Sequence, residues 1–203
     1  MGWVDSLARP GENITGLTSI AGVLAGKRLE LLKETLPKLA IAAVLWNPLD
    51  SGSRQQWNES ELVGRELGLQ LCSMEASRAE QLESAFRDAV KARSAALALT
   101  QSALFDPTQK RIPDLALKYG LPSISIRGEF VANGGLMYYG PDRAEPFKRA
   151  AAMVVKILQG TKPADIPVER PNKFEFAVNL KTAKQIDITI PPNVLARADR
   201  VIR

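Results

Sequence analysis

Four short apolar runs rich in β-forming residues recur at nearly constant intervals along the chain. They cover residues 41–47, 69–75, 95–101 and 122–127, and they begin 28, 26 and 27 residues apart. Each interval has the length of one strand and one helix, and the runs are continuously apolar rather than alternating. Continuous apolarity is typical of strands that are covered on both faces. The pattern therefore predicts an α/β fold with three αβα layers, in which helices flank a parallel sheet.

Capping signals indicate where several of the intervening helices begin and end. Ser77 followed by Glu80 forms the pattern of a capping box and predicts a helix start. Asp106-Pro107 predicts another start, with proline at the first helical position. Asp142 is placed to cap a long helix that Gly160 ends. These signals support the alternation of strands and helices.

The residue inventory argues against catalysis. The chain of 203 residues contains no histidine, which removes the common general base and any relay of the Ser-His-Asp type. It contains neither the G-x-G-x-x-G nor the G-x-x-x-x-G-K-[ST] phosphate loop, so we expect no nucleotide cofactor. No cluster of carboxylates suggests a metal site. We therefore expect a protein that is not an enzyme and that has no cofactor and no metal.

The basic residues are dispersed along the chain. Twenty-seven lysines and arginines against 22 acidic residues give a net charge of +5, but the basic pairs are interleaved with acids. A nucleic-acid interface requires clustered charge, so we expect no nucleic-acid partner. The longest apolar stretch, residues 39–46, is far shorter than the roughly 20 residues of a membrane helix.

Polar residues follow each predicted strand, where the ligand-binding edge of an open parallel sheet lies. The candidates for ligand binding at this edge are Asn47, Ser51, Glu75, Gln101, Ser102, Arg127 and Glu129. Most of them are uncharged hydrogen-bonding groups, which suit the binding of a small polar molecule better than its conversion. The alternative for Asn47-Pro48 and Ser51-Gly52 is that they are ordinary turn residues.

The segment from Gly134 to Gly140 contains two adjacent tyrosines among glycines. Neighbouring residues of a strand point to opposite faces, so at most one tyrosine can face the binding edge. Tyr139 lies next to the glycine that ends the predicted strand, and we expect it to be the ligand-facing tyrosine. The alternative is a glycine turn leading into a strand.

Six motifs stand out in order along the chain: S-L-A-R-P-G-E-N-I-T-G, K-R-L-E-L-L-K-E, L-W-N-P, G-G-L-M-Y-Y-G, K-I-L-Q-G-T-K-P-A-D-I-P-V-E and N-L-K-T-A-K-Q-I-D-I-T-I-P-P. Together they resemble the motifs of bacterial ABC-transporter substrate-binding proteins related to the tryptophan/tyrosine-type binding proteins. The resemblance covers essentially the whole chain. Glu12 departs from it, because the family usually has glycine at that place in a P-G-G-N turn.

The resemblance implies a periplasmic-binding-protein fold of the first type, in which two αβα lobes close over a small molecule without catalysis. It assigns residues 1–26 to a first-lobe remnant and crossing segment and 27–135 to the second αβα lobe. Residues 136–172 become the returning crossing and a first-lobe helix, and 173–203 a C-terminal strand, short helices and tail. Most of the first lobe is thus expected to be missing.

The resemblance also implies a function. It places Asn47, Gln101 with Ser102, and Tyr139 on the second lobe's side of the cleft, and it implies an amino acid-like, aromatic solute and an ABC permease as partner. The family's location is periplasmic or lipid-anchored outside the cytoplasm. No secretory signal follows Met1, so a protein that truly began there would be cytoplasmic. The alternatives are a cytoplasmic sensory or regulatory module on the same fold, and an αβα enzyme.

An apolar stripe on the long helix predicts self-association. Phe147, Ala151, Val154 and Leu158 share one face, which the first lobe would cover in the family. Stable monomers rarely leave such stripes in water. We therefore expect a homodimer, with this stripe and the N-terminal segment containing Trp3, Val4 and Leu7 forming the contact.

Overall fold

The computed structural model describes residues 4–18, 20–142 and 144–203. These residues form two compact units. The larger unit comprises Ala21–Gly140 and Glu175–Arg203, and the smaller unit comprises the described residues up to Ile20 together with those of Pro141–Phe174. Trp3 and Arg143 lie outside the described residues. The assignment of the four predicted segments to lobes remains a prediction.

Seven strands among the described residues form one sheet in the order β2-β1-β3-β4-β5-β6-β7. They are β1 (Ile41–Trp46), β2 (Gln70–Glu75), β3 (Leu97–Leu99), β4 (Ser123–Ser125), β5 (Met137–Pro141), β6 (Phe174–Asn179) and β7 (Arg200–Ile202). The four predicted apolar runs thus contain β1 to β4, although β3 and β4 are shorter than their runs.

Eight α-helices are present in the described part of the chain. They are α1 (Ala21–Thr35), α2 (Ser51–Glu66), α3 (Leu82–Lys91), α4 (Arg111–Lys118), α5 (Glu129–Ala132), α6 (Ala144–Leu158), α7 (Leu180–Gln185) and α8 (Pro192–Leu195). Short 3-10 turns lie at 79–81, 103–105 and 163–165. Helix α6 belongs to the smaller unit, and the other helices belong to the larger unit.

The sheet is parallel from β2 through β5. Strand β1 pairs in parallel with β2 and β3, β4 pairs in parallel with β3 and β5, and β6 pairs in parallel with β7. Strands β5 and β6 are antiparallel, because the Asn179 N–H donates to Leu136 and the Asp142 N–H donates to Lys173. The expected parallel sheet is therefore mixed, and the predicted α/β class is confirmed.

Both faces of the central strands are buried, as continuous apolarity predicts. In β1, Val44 belongs to a core cluster that also contains Leu29 and Leu32 of α1. The next residue, Leu45, belongs to a second cluster with Phe86 of α3. Because neighbouring residues of one strand enter different cores, helices cover the sheet on both sides. This is the predicted three-layer arrangement.

Two of the predicted helix starts are shifted. Gln81 rather than Glu80 completes the turn after Ser77, because its Oε1 accepts the N–H groups of Ser77 at 2.8 Å and Arg78 at 3.1 Å. No α-helix begins at Asp106-Pro107, and α4 begins at Arg111 instead. The N–H groups in the first turn of a helix have no acceptor within that helix, so a proline there removes no helical hydrogen bond. Pro113, the third residue of α4, is therefore tolerated.

The boundaries of the long helix follow the sequence signals. The Glu145 N–H donates to Asp142 Oδ1 at 3.4 Å, so Asp142 caps the start of α6. Gly160 has a φ of +97°, the left-handed conformation typical of a residue that follows a helix end.

Candidate functional site

The strand order reverses at β1. The chain passes from β1 to β2 on one side and then returns to β3 on the other side of β1. In open α/β sheets, ligands bind beyond the carboxyl ends of the strands at such a reversal. The segments that leave this point are the turn after Trp46 and residues 100–102 after β3. Two of the predicted site residues, Asn47 and Ser102, therefore lie at the preferred place for a ligand.

Side-chain hydrogen bonds join these two strand ends. Asn47 Nδ2 donates to Ser102 Oγ at 3.2 Å. The backbone N–H of Asn47 donates to Ser53 Oγ at 2.8 Å, and Ser53 Oγ lies 2.6 Å from Thr100 Oγ1. All four side chains are buried. The structure thus brings Asn47 and Ser102 together in a polar network with Ser53 and Thr100, neither of which was a sequence-based candidate.

Local turn chemistry fixes the orientation of Asn47. Its Oδ1 accepts the N–H of Leu49 at 3.0 Å, and Asp50 Oδ1 accepts the N–H of Ser53 at 3.0 Å as the N-cap of α2. The turn interpretation of Asn47 is therefore correct as far as the backbone is concerned. Because both ends of its amide are engaged, Asn47 presents a preset surface rather than a mobile side chain.

Ser51 and Gln101 expose their side chains beside this network. Ser51 is the first residue of α2, and Gln101 follows β3. The backbone N–H of Gln101 donates to Gln56 Oε1 at 3.1 Å, which holds the main chain while the Gln101 side chain faces solvent. Both side chains are accessible to a ligand at this edge.

A small pocket opens next to Gln101 and Ser102. Its lining combines apolar side chains with polar ones: Leu99, Thr100, Gln101, Ser102, Phe105, Gln109, Ile112, Ser125, Arg127 and Phe130. Its free volume of about 20 Å³ is room for about one water molecule. The pocket can therefore hold one end of a small molecule but does not enclose an aromatic amino acid.

Arg127 lies in the pocket lining and forms an ion pair with Asp106. The backbone N–H of Arg127 donates to Ser125 Oγ at 3.1 Å, which fixes the main chain where it leaves β4. The Arg127 side chain is 30 % exposed and that of Asp106 is 42 % exposed, so solvent reaches both charges. Sequence reasoning took Asp106 for a helix cap and missed it as a site residue. Its position shortly after β3 was the available signal.

Tyr139 lies apart from this pocket. Its ring packs against the first core cluster, and the ring centroid is 6.4 Å from that of Phe176 in an edge-to-face arrangement. Tyr138 is buried in a different cluster with Val131 and Ala177, so the two tyrosines occupy opposite faces of β5 as expected. Tyr139 is not among the residues that line the pocket. A role for Tyr139 in ligand contact remains a prediction.

Sequence reasoning also missed Arg28, a buried cation near the site. Arg28 is 1 % exposed, and its Nη2 donates to Gln56 Oε1 at 3.2 Å, the atom that also accepts the N–H of Gln101. Its Nε and Nη1 have no hydrogen-bond partner among the described residues. Burial lowers the pKa of the guanidinium to about 9, so it is still charged at neutral pH. Arg28 lies four residues from both Leu24 and Leu32, on the buried face of α1, and this spacing is the sequence feature that indicates its burial.

The described residues offer neither a cluster of metal ligands nor a membrane-spanning helix. They contain no group of three or more histidine, cysteine, aspartate or glutamate residues placed to hold a metal ion. None of the helices in the described ranges is long and apolar enough to cross a membrane.

A family model described as ABC transporter substrate binding protein matches residues 1–202. The chain belongs to this family. The motif-based resemblance is thus confirmed. A curated relative, the tyrosine-binding protein of Clostridioides difficile, is 24% identical over 187 residues, which are 92% of this chain and 53% of the relative. This substrate-binding-protein family member therefore spans about half the length of that relative.

Solved structures share the fold of this substrate-binding-protein family member. A conserved domain protein from Vibrio cholerae superimposes with a TM-score of 0.89 at 25% identity, over 98% of this chain and 66% of that one. An ABC domain from Streptococcus pneumoniae in complex with L-Trp gives a TM-score of 0.86 at 24% identity, over 98% and 68% of the two chains. The architecture is that of periplasmic binding proteins of the first type.

Proposed function

We propose that this protein binds a small amino acid-like solute, an aromatic amino acid in particular, at the carboxyl ends of β1 and β3, without catalysis. The observation that carries the proposal is the hydrogen bond from Asn47 to Ser102 at the reversal of strand order. It links two polar groups at the place where this class of sheet binds ligands. The relatives named for tyrosine binding and solved with L-Trp supply the ligand class.

The proposed contact surface comprises the exposed side chains around the buried network. Ser51, Gln101 and Arg127 would contact the solute directly, while Asn47 and Ser102 hold the edge in shape. Tyr139 is kept as a proposed contact on the basis of the glycine-tyrosine segment. The pocket accommodates one end of the solute, so an aromatic ligand needs a second protein surface opposite this edge.

The proposed partner is an ABC permease, and the proposed location is periplasmic or lipid-anchored outside the cytoplasm, as in the family. Nucleic acid is not a proposed partner, because acidic side chains pair many of the basic ones. Such pairs join Lys110 to Asp114, Lys118 to Glu83, Arg149 to Glu169 and Arg197 to Glu34. In the described part of the chain, this pairing offsets basic charge that would otherwise attract a phosphate backbone.

We also propose that the exposed face of α6 binds a second copy of this chain. Phe147 is 73% exposed and Leu158 is 81% exposed, and Val154 shares their face. Two antiparallel copies of α6 would bury both stripes against each other. Burial of this apolar face favours a two-fold homodimer.

Calorimetric titration of the 203-residue chain with L-tryptophan and L-tyrosine tests the binding proposal. A ligand at a hundred times its Kd should also raise the free energy of unfolding by about 2.7 kcal/mol. Ser102→Ala should weaken binding, because it removes the acceptor that fixes Asn47. Ser84→Ala is the matched control, since Ser84 lies on α3, away from this edge, and its Oγ donates to the carbonyl of Gln81. If neither amino acid binds the parent chain, the proposed ligand class is wrong.

A further inference from the structure

The ion pair between Arg127 and Asp106 places opposite charges side by side at the mouth of the pocket. Arg127 follows β4 and Asp106 follows the 3-10 turn of residues 103–105, so two separate segments bring these charges together. Arg127 is itself part of the pocket lining. Both side chains are between a quarter and a half exposed, which leaves them within reach of a solute.

An α-amino acid carries the same two charges in the same close arrangement. Its carboxylate complements a guanidinium, and its ammonium complements a carboxylate. The observed contact joins Arg127 Nη2 to Asp106 Oδ1, which accounts for one donor of the guanidinium and one acceptor of the carboxylate. A guanidinium has five N–H donors and a carboxylate about four acceptor sites, so both groups have the capacity to bind a zwitterion as well as each other.

We propose that Arg127 and Asp106 together recognise the zwitterionic end of the ligand, with Arg127 binding its carboxylate and Asp106 its ammonium. This inference rests on the proposed function and adds the basis of its selectivity. Phe105 and Phe130 line the pocket together with Arg127. The ion pair thus selects free amino acids over amines and carboxylic acids of the same shape.

The buried cation supports the assignment of the carboxylate to this edge. Arg28 is joined through Gln56 Oε1 to the N–H of Gln101, a residue of the pocket lining. Among the described residues, Arg28 donates to Gln56, and its Nε and Nη1 have no acceptor. Its charge is screened little because it is buried, and it adds positive potential at the N–H of Gln101.

A titration of three probes against two variants tests the pair. The probes are L-tryptophan, tryptamine, which lacks the carboxylate, and indole-3-propionate, which lacks the ammonium. Asp106→Asn should lower the affinity for L-tryptophan about tenfold or more and leave the affinity for indole-3-propionate nearly unchanged. Arg127→Gln should lower the affinities for L-tryptophan and indole-3-propionate by a similar factor and leave the affinity for tryptamine nearly unchanged.

Two controls separate recognition from structural support. Glu83→Gln breaks another partly exposed ion pair, with Lys118, and should change no affinity. The double reversal Asp106→Arg with Arg127→Asp retains an ion pair between the same segments but exchanges the positions of the charges. It should restore thermal stability without restoring the affinity for L-tryptophan.

The outcomes distinguish this inference from the proposed function. Suppose that L-tryptophan binds the parent chain, but each variant lowers the affinity for all three probes equally or for none of them. The zwitterion inference is then overturned and amino acid binding stands. If no probe binds the parent chain, the proposed function itself fails and the inference fails with it.

Discussion

Arg28 and Gln56 are hydrogen-bonded inside the larger unit, with Arg28 Nη2 3.2 Å from Gln56 Oε1 and both side chains at most 2 % exposed. The same oxygen accepts the N–H of Gln101, so one amide joins α1, α2 and the end of β3. Gln56 Nε2 donates to the carbonyl of Gly52 at 3.1 Å, which fixes the orientation of the amide. The edge that carries the proposed site is therefore supported by a buried cation.

Removing Gln56 should cost more stability than removing Arg28. Gln56→Leu leaves a buried guanidinium without an acceptor and should lower the free energy of unfolding by about 3–5 kcal/mol. Arg28→Met replaces the charge by an apolar side chain of similar length, and the free energy of unfolding should stay the same or rise by about 1–4 kcal/mol. Urea denaturation measures both. Gln55→Leu changes the exposed neighbouring position, and its free energy of unfolding should stay within about 0.5 kcal/mol of the parent value. A strong loss in Arg28→Met would contradict this account.

The Arg28 charge should make stability depend on pH above neutrality. Burial lowers the folded-state pKa of Arg28 to about 9, well below its ordinary value, so above this pH the unfolded chain binds more protons than the folded chain. The contribution of Arg28 to the free energy of unfolding should therefore rise with pH, by at most about 1.4 kcal/mol per pH unit. The difference between the parent and Arg28→Met, measured from pH 7 to 10.5, cancels the titration of lysines and tyrosines common to both. A constant difference would show that the folded guanidinium does not titrate in this range.

Gly135→Ala should destabilise the larger unit. A Cβ at residue 135 would lie 2.1 Å from the ring of Phe130, which is buried and lines the pocket. The ring must move, and the free energy of unfolding should fall by about 1–3 kcal/mol. Gly52→Ala is the control, because the nearest atom to its Cβ is Asp50 Oδ1 at 3.4 Å and the residue is helical. Equal stabilities of the two variants would contradict the close contact.

Tyr139→Ala should lower stability by about 2 kcal/mol, because the ring packs on Phe176 and the first core cluster. Tyr139→Phe keeps the ring and should lose less. Thermal denaturation and calorimetric titration of both variants are the measurements. Weaker ligand binding by Tyr139→Ala with unchanged stability would instead support the sequence-based expectation that this tyrosine serves the ligand.

Phe147→Glu should shift the chain from dimer to monomer, because it places a charge in the exposed stripe of α6. Light scattering coupled to gel filtration gives the mass directly. Val23→Glu, an equally exposed apolar position on α1, should leave the mass unchanged. A monomeric parent chain at high concentration would show that the proposed dimer does not form.

Much of the fold and part of the site follow from local patterns. The spacing of the apolar runs predicts the alternation of strands and helices, and their continuity predicts burial on both faces. The ends of these runs indicate Asn47 and Ser102, which the structure brings within 3.2 Å. Local patterns predict helix starts less accurately where several polar residues could cap the same helix, as near Ser77 and Asp106.

The sequence by itself determined the α/β class and the edge that carries the candidate site, because both depend on apolar periodicity and on the ends of the apolar runs, which short windows of sequence show. Tertiary structure alone decided that β6 runs antiparallel to β5, that Asp106 pairs with Arg127 and that Arg28 is buried against Gln56. Each of these relationships joins residues from different elements, separated by 28 positions in the case of Arg28 and Gln56. Their energy comes from backbone hydrogen bonds, desolvation and charge pairing between elements, which exist once the elements have packed and leave no periodic trace in the chain.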